Sequence, residues 1–84
     1  MRRPNPWDRL TQPWQPIEVR CRSEYRYAQE PQALRWESQW VTVQRIVARW
    51  QTPEGPAFRL LTADGRLYDI RHREDAAQWE GRQL

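Results

Sequence analysis

The stretch WVTVQRIVARW, residues 40–50, decides the fold class of this chain. It combines β-branched residues with a tryptophan at each end, and such residues favour β-strands. The alternative is an amphipathic helix from Val41 to Trp50. β-Branched side chains lose rotamer freedom in a helix, so the composition favours the strand.

The alternation within this stretch changes its parity. Val41 and Val43 fall on odd positions, whereas Ile46 and Trp50 fall on even ones. A strand with one buried face needs a period of two throughout. One extra residue in a β-bulge shifts the facing of everything after it, so we predict a bulge near residues 44–45.

A second strand is predicted upstream, where Ile17, Val19 and Cys21 alternate with charged residues. The polar segment 23–32 that follows reads as a long hairpin loop. Pro31 lacks a backbone N–H, which argues against a central strand at that point. A polar turn at residues 37–39 then leads into the long strand.

Downstream, residues 57–72 predict a hairpin around Asp64-Gly65, and two registers are compatible with its length. A two-residue turn would set Arg59 opposite Ile70. A three-residue loop with Gly65 in the left-handed conformation gathers the apolar residues on one face. We favour the second register, whose expected pairs are Phe58 with Ile70, Leu60 with Tyr68, and Arg59 with Asp69.

The favoured register also pairs Leu61 with Leu67 on the outer face, where Val47 is expected to join them. Two adjacent leucines facing water need a cover or a partner. We expect either the arm that carries Trp7 and Trp14 or a second copy of the chain to pack there.

Both ends of the chain complete the predicted architecture. Residues 1–16 hold four of the seven prolines and predict an extended Pro/Trp-rich arm. In the tail, residues 74–78 could open a helical turn, but we favour a short turn and a last strand, residues 78–83, that inserts Trp79 into the core. The remaining residues, 17–84, predict a single all-β domain, a small antiparallel β-barrel or strongly bent sheet of five or six strands, SH3-like or OB-like.

Composition excludes several classes of protein. The chain has 84 residues, one cysteine and one histidine, so no intrachain disulfide and no zinc or haem ligand set can form. Its three glycines lack the spacing of a phosphate-binding loop, and no cofactor is expected. Apolar runs are too short for a membrane span or a signal peptide, so we expect a cytoplasmic protein without membrane contact or small-molecule substrate.

The side chains that could serve catalysis have ordinary structural explanations. His72 lies at a charged strand end, and Cys21 lies on the inward parity of its strand, where free cysteine behaves as a small hydrophobe. Asp69 is expected to pair with Arg59, and Asp64 serves the turn. We therefore expect a protein that is not an enzyme.

The arginines are more informative than the net charge of +3. Residues 1–50 carry nine arginines and five acidic residues, whereas residues 51–84 carry five and six. Arginine grips phosphates and stacks on bases, so outward arginines on neighbouring strands are typical of nucleic-acid-binding barrels. The candidate nucleic-acid contacts, all expected to point away from the apolar face, are Arg20, Arg22, Arg35, Arg45 and Arg49.

The six tryptophans divide into two groups. Trp36, Trp40, Trp50 and Trp79 are expected in the core or at its rim. Trp40 has the parity opposite to that of its valine neighbours, which also fits an exposed stacking platform. Because tryptophan is enriched in binding hot spots, the candidate partner contacts are Trp7 and Trp14 with Leu61 and Leu67.

Several segments together resemble a known family. They are PIEVR (16–20), LRWESQWVTV (34–43), residues 46–50, 58–60, 64–65 and 67–70, and Trp79. Their order resembles the DUF6504-like family, a small bacterial domain found alone and at the C-terminus of Y-family-polymerase-like mutagenesis proteins. The resemblance covers residues 16–80 and implies a β-rich domain near DNA damage tolerance, with no catalytic residues to carry over.

These observations predict a non-enzymatic interaction module associated with DNA transactions. The leading hypothesis is a protein-protein adaptor, and self-association of the chain is one of the interactions it covers. The alternative is a nucleic-acid-binding barrel that uses the outward arginines and exposed aromatic side chains.

Overall fold

A computed structural model describes residues 13–22 and 30–84, and the description below covers these residues. They form six antiparallel strands that close into one barrel, each strand pairing with its neighbours in sequence. The predicted all-β barrel is confirmed. The strands are β1 (Gln15–Arg22), β2 (Glu30–Trp36), β3 (Gln39–Thr52), β4 (Gly55–Thr62), β5 (Leu67–Arg73) and β6 (Gln78–Gln83).

The first strand begins at Gln15, two residues before the boundary predicted between arm and domain. Its first three residues pair with β6 and so close the barrel, and its later residues pair with β2. Trp7 and most of the predicted arm lie outside the described residues. The predicted last strand is confirmed, because β6 covers residues 78–83 after a turn at residues 74–77.

The predicted bulge in β3 is confirmed. The register against β4 shifts between Val43 and Arg45, which leaves Gln44 as the extra residue. A second shift between Ile46 and Ala48 leaves Val47 unpaired, and it was not predicted. Each extra residue reverses the facing of the strand beyond it, and bulges also bend the strand, as a small barrel requires.

The hairpin of β4 and β5 adopts the favoured register. Phe58 pairs with Ile70, and Arg59 pairs with Asp69. The loop closes with a hydrogen bond from the Thr62 N–H to the Arg66 carbonyl at 2.9 Å. Gly65 has a φ of 83°, the left-handed conformation that the predicted three-residue loop requires.

Pro31 departs from the prediction, because it lies inside β2 and not in a loop. It is buried and pairs with Cys21, next to an irregularity in the β1–β2 register. Within the described residues, this end of β2 pairs with β1 alone. A residue without an N–H is tolerated where one edge of the strand has no partner.

The core lies inside the barrel and is formed mainly by β4 and β5. Its buried side chains are Leu34, Phe58, Leu60, Tyr68 and Ile70. Trp36 packs edge-on against Tyr68 with 5.2 Å between ring centroids, and Trp79 packs against the same core as predicted. Because the second bulge turns it outward, Trp50 is 39% exposed and does not enter the core, although the sequence predicted it in the core or at its rim.

No helix in the described part of the chain has the length and apolar character needed to cross a membrane.

Candidate functional site

The barrel has an open groove between β2 and β3. These two strands pair only from Ala33 to Trp36 and from Gln39 to Thr42. Beyond Thr42, β3 pairs with β4 alone among the described residues, and the first residues of β2 pair with β1 alone. The strands diverge because the two bulges bend β3 away from β2. The separation leaves an open groove of about 660 Å³.

Three of the five candidate arginines line this groove. Arg20 comes from β1, and Arg45 and Arg49 come from β3. The one acidic side chain in the lining is Glu30, at the start of β2. The groove therefore carries an excess of positive charge, and its apolar lining includes Val43 and Ile46. The fold brings together arginines that are up to 29 positions apart in the sequence.

Arg49 does not have the outward facing that the sequence predicts. It pairs with the core residue Phe58, and its guanidinium lies 6.0 Å from the centroid of that ring. The second bulge causes the difference, since it reverses the parity between Ile46 and Ala48. Arg49 still reaches solvent, because it lies at the open groove and half of its side chain is exposed.

Arg20 and Trp40 form a stacked pair beside the groove. The Arg20 guanidinium lies 4.2 Å from the centroid of the Trp40 ring. Both side chains lie on the outer face, where Arg20 is in register with Ala33 and Trp40 is in register with Arg35, two residues further along β2. Trp40 is 40% exposed, so the prediction of an exposed aromatic platform fits this tryptophan better than a core position.

The other two candidate arginines lie outside the groove lining. Arg35 is on the outer face between Glu18 and Trp40, and it contacts the Glu18 carboxylate at 3.5 Å. Arg22 ends β1, where it is exposed and in register with Glu30. As predicted, the strands that carry all five arginines are neighbours.

Leu61 and Leu67 pair on the outer face, as the hairpin register predicts. Leu67 is 39% exposed, and Leu61 is half-buried and in register with Arg45. Val47 is 44% exposed, but it lies in the second bulge and does not join the leucine row through strand pairing.

Trp14 lies on a different part of the outer surface from the predicted leucine pair. The guanidinium groups of Arg71 and Arg82 approach its ring centroid at 4.3 and 4.5 Å. Two guanidiniums on one ring make a cation–π cluster. Trp14 thereby fixes the start of β1 to the outer face of β5 and β6.

The groups considered for catalysis have structural roles. His72 is half-buried against Trp79, with 4.8 Å between ring centroids. Cys21 is half-buried, and burial raises the pKa of its thiol. Asp69 is held by Arg59 at 2.8 Å, and this carboxylate raises the pKa of the Arg59 guanidinium. Across residues 13–22 and 30–84, no three metal-ligating side chains cluster.

The acidic residue of the groove was not identified from the sequence. Glu30 accepts a hydrogen bond from Arg49 Nη2 at 2.8 Å. Glu30 falls in the polar segment 23–32 that the sequence predicts to be a loop, so the sequence predicts no facing for it. The alternation of Glu30, Gln32 and Leu34 offered little signal, since a proline and a register irregularity interrupt it.

No family model, no curated protein and no solved structure matches this chain.

Proposed function

We propose that this chain is a non-enzymatic interaction module that binds single-stranded nucleic acid along the β2–β3 groove. The observation that carries the proposal is the convergence of Arg20, Arg45 and Arg49 where the barrel walls separate. Guanidinium groups bind phosphates through their planar set of N–H donors. Three of them give the groove a preference for anionic ligands.

A single strand suits this groove better than a duplex. An extended chain can follow a cleft between two strands, and its bases are free to stack on exposed aromatic side chains. Trp40 provides an exposed ring next to the groove, with Arg20 on it. A duplex keeps its bases stacked on each other and presents only its backbone to such a surface.

The test is a binding titration of labelled single- and double-stranded oligonucleotides by fluorescence anisotropy. For single strands, the logarithm of affinity should fall linearly with the logarithm of salt concentration. Loss of one phosphate contact in Arg45→Gln or Arg49→Gln should make that slope shallower by about 0.7. Absence of binding at low salt would contradict the proposal.

Arg66→Gln is the matched control for these variants. Arg66 is an exposed arginine in the β4–β5 turn, paired with Asp64 at 3.5 Å, and it does not line the groove. The substitution removes one positive charge, as the groove variants do, but it should leave the salt slope unchanged. A slope reduced equally by Arg66→Gln would show that net charge alone, and not the groove, drives binding.

A second candidate function, protein-protein contact with self-association as one mode, rests on the outward leucine pair. Leu67 is 39% exposed beside the half-buried Leu61, and an apolar patch on an outer surface is a candidate interface. Light scattering over a concentration series tests self-association. The expected result is a dimer that Leu67→Gln converts to a monomer, and a wild-type monomer at all concentrations would remove this mode.

The proposed association with DNA damage tolerance is supported by the DUF6504-like resemblance alone. A cytoplasmic location likewise stays a prediction from the sequence.

A further inference from the structure

Glu30 and Arg49 form an ion pair across the β2–β3 groove. The distance from Arg49 Nη2 to Glu30 Oε1 is 2.8 Å, and about half of each side chain is exposed. Glu30 belongs to β2 and Arg49 to β3, and in the described chain these parts of the two strands share no backbone pairing. The ion pair therefore links the two walls of the groove where the sheet does not.

Of the three groove arginines, Arg49 is the one that holds a carboxylate among the described residues. Arg20 is stacked on Trp40, and Arg45 stands on the outer face beside Leu61. Arg49 is held from two sides, by the Phe58 ring and by the Glu30 carboxylate. A carboxylate and a phosphate use the same guanidinium donors, so the two compete for this side chain.

We infer that Glu30 is an internal competitor that occupies the phosphate position on Arg49 and lowers the affinity of the groove for single-stranded nucleic acid. This inference rests on the proposed function. Binding exchanges the Glu30 carboxylate for a backbone phosphate, and the link between β2 and β3 opens. Glu30 thereby lowers the affinity of the groove for nucleic acid without contacting the nucleic acid itself.

The experiment compares Glu30→Gln with wild type in the anisotropy titration of a labelled single-stranded oligonucleotide. An exposed ion pair of this kind is worth a modest free energy, so Glu30→Gln should bind roughly twofold to fivefold more tightly. The full chain is used, and near-UV circular dichroism verifies that each variant is folded. Salt is held at about 0.1 M, where charges more than about 10 Å apart are largely screened.

Two further variants separate competition at Arg49 from a general charge effect. Asp75→Asn removes one negative charge from an exposed ion pair with Arg73 in the β5–β6 turn, outside the groove, and should leave affinity unchanged. In an Arg49→Gln background, the guanidinium for which the Glu30 carboxylate and the phosphate compete is absent. Glu30→Gln should therefore lose its effect there.

Each other outcome overturns a defined part of this account. If wild type binds and Glu30→Gln does not tighten binding, or tightens it equally in the Arg49→Gln background, the competition inference is wrong and the proposed function stands. If neither wild type nor Glu30→Gln binds the oligonucleotide at this salt concentration or at a lower one, the proposed function fails and the inference fails with it.

Discussion

At the residue scale, Asp69 shows how the outer face of the barrel tolerates a buried charge. Its side chain is 1% exposed, although it lies on the outward parity of β5. Arg59 donates two hydrogen bonds to it, at 2.8 and 3.1 Å, and Arg82 donates a third at 3.5 Å. A buried carboxylate is stable when its oxygens are satisfied in this way.

We predict that Asp69→Asn destabilises the protein by about 1.5 to 3 kcal/mol, because hydrogen bonds to a charged group are lost and two guanidiniums remain without their carboxylate. Urea denaturation measures the free energy of unfolding. Asp75→Asn, which disrupts an exposed ion pair, should change it by less than about 0.5 kcal/mol. Equal effects of the two substitutions would show that the Asp69 network is not stabilising.

A second residue-scale prediction concerns Cys21. Burial raises the pKa of its thiol, so at a given pH the folded protein contains less thiolate than the unfolded chain. Since the thiolate is the nucleophile, iodoacetamide should react more slowly with the folded protein at about pH 8. The pH midpoint of the reaction rate should be higher in the folded state than in urea.

The same shift sets the sign of a stability effect. As pH rises through the pKa of the unfolded thiol, the unfolded chain loses its proton first, and the contribution of Cys21 to stability falls. A folded-state midpoint equal to or below the midpoint in urea would contradict the prediction.

At the element scale, the β3 bulges decide which side chains line the groove. The change of parity between Val43 and Ile46 predicted the first bulge. The second bulge had no such signal, because Ile46 and Trp50 have the same parity and a single bulge accounts for both. The inward or outward facing of the residues after Ile46 therefore depends on how β3 pairs with β4. That pairing places Arg49 opposite Phe58.

We predict that deletion of Gln44 leaves the protein cooperatively folded but destabilises it by about 1 to 3 kcal/mol. Without the extra residue, Val43 and Arg45 pair with Thr62 and Leu61 in unbroken register and Ile46 keeps its inward facing, but β3 loses the bend that the bulge provides. The measurement is the near-UV circular dichroism spectrum together with a urea unfolding curve.

Gln44→Ala is the control for this deletion. The Gln44 side chain is exposed, so the substitution keeps the bulge and should change stability by less than about 0.5 kcal/mol. If the deletion variant unfolds with a wild-type midpoint, the bend at this bulge does not contribute to the stability of the barrel.

At the scale of the whole molecule, closure of the barrel depends on a short seam. β1 and β6 pair over only three positions, Gln15 to Ile17 with Gly81 to Trp79. Gly81 permits the close approach, since a Cβ at that position would lie 2.8 Å from Ile17 Cδ1 and 3.4 Å from Ile70 Cγ2. The small residue therefore lets Ile17 fill the space between the closing strands.

We predict that Gly81→Ala destabilises the protein by about 1 to 3 kcal/mol through overpacking at the seam. Ile17→Val removes the Cδ1 atom that the new methyl group would meet, although it costs about 0.5 to 1.5 kcal/mol by itself. Urea denaturation of both single variants and the double variant measures the coupling.

In the Ile17→Val background, Gly81→Ala should cost at least about 0.5 kcal/mol less than in wild type. Strict additivity of the two substitutions would mean that the seam adjusts elsewhere and that contact between these side chains does not limit closure.

Local patterns in the sequence determined most of the strands, the first bulge, the hairpin register and the packing of Trp36 and Trp79 against the core. Strand periodicity and turn chemistry depend on residues close together in the chain, whereas the start of β2 at Glu30 was missed. Tertiary structure alone decided the facing of Arg49, the exposure of Trp50, the place of Trp14 on Arg71 and Arg82, and the groove in which Glu30 meets Arg49. The facing of Arg49 and Trp50 depends on the second bulge of β3, and the groove and the Trp14 cluster form where segments distant in the chain meet. No local period encodes such contacts.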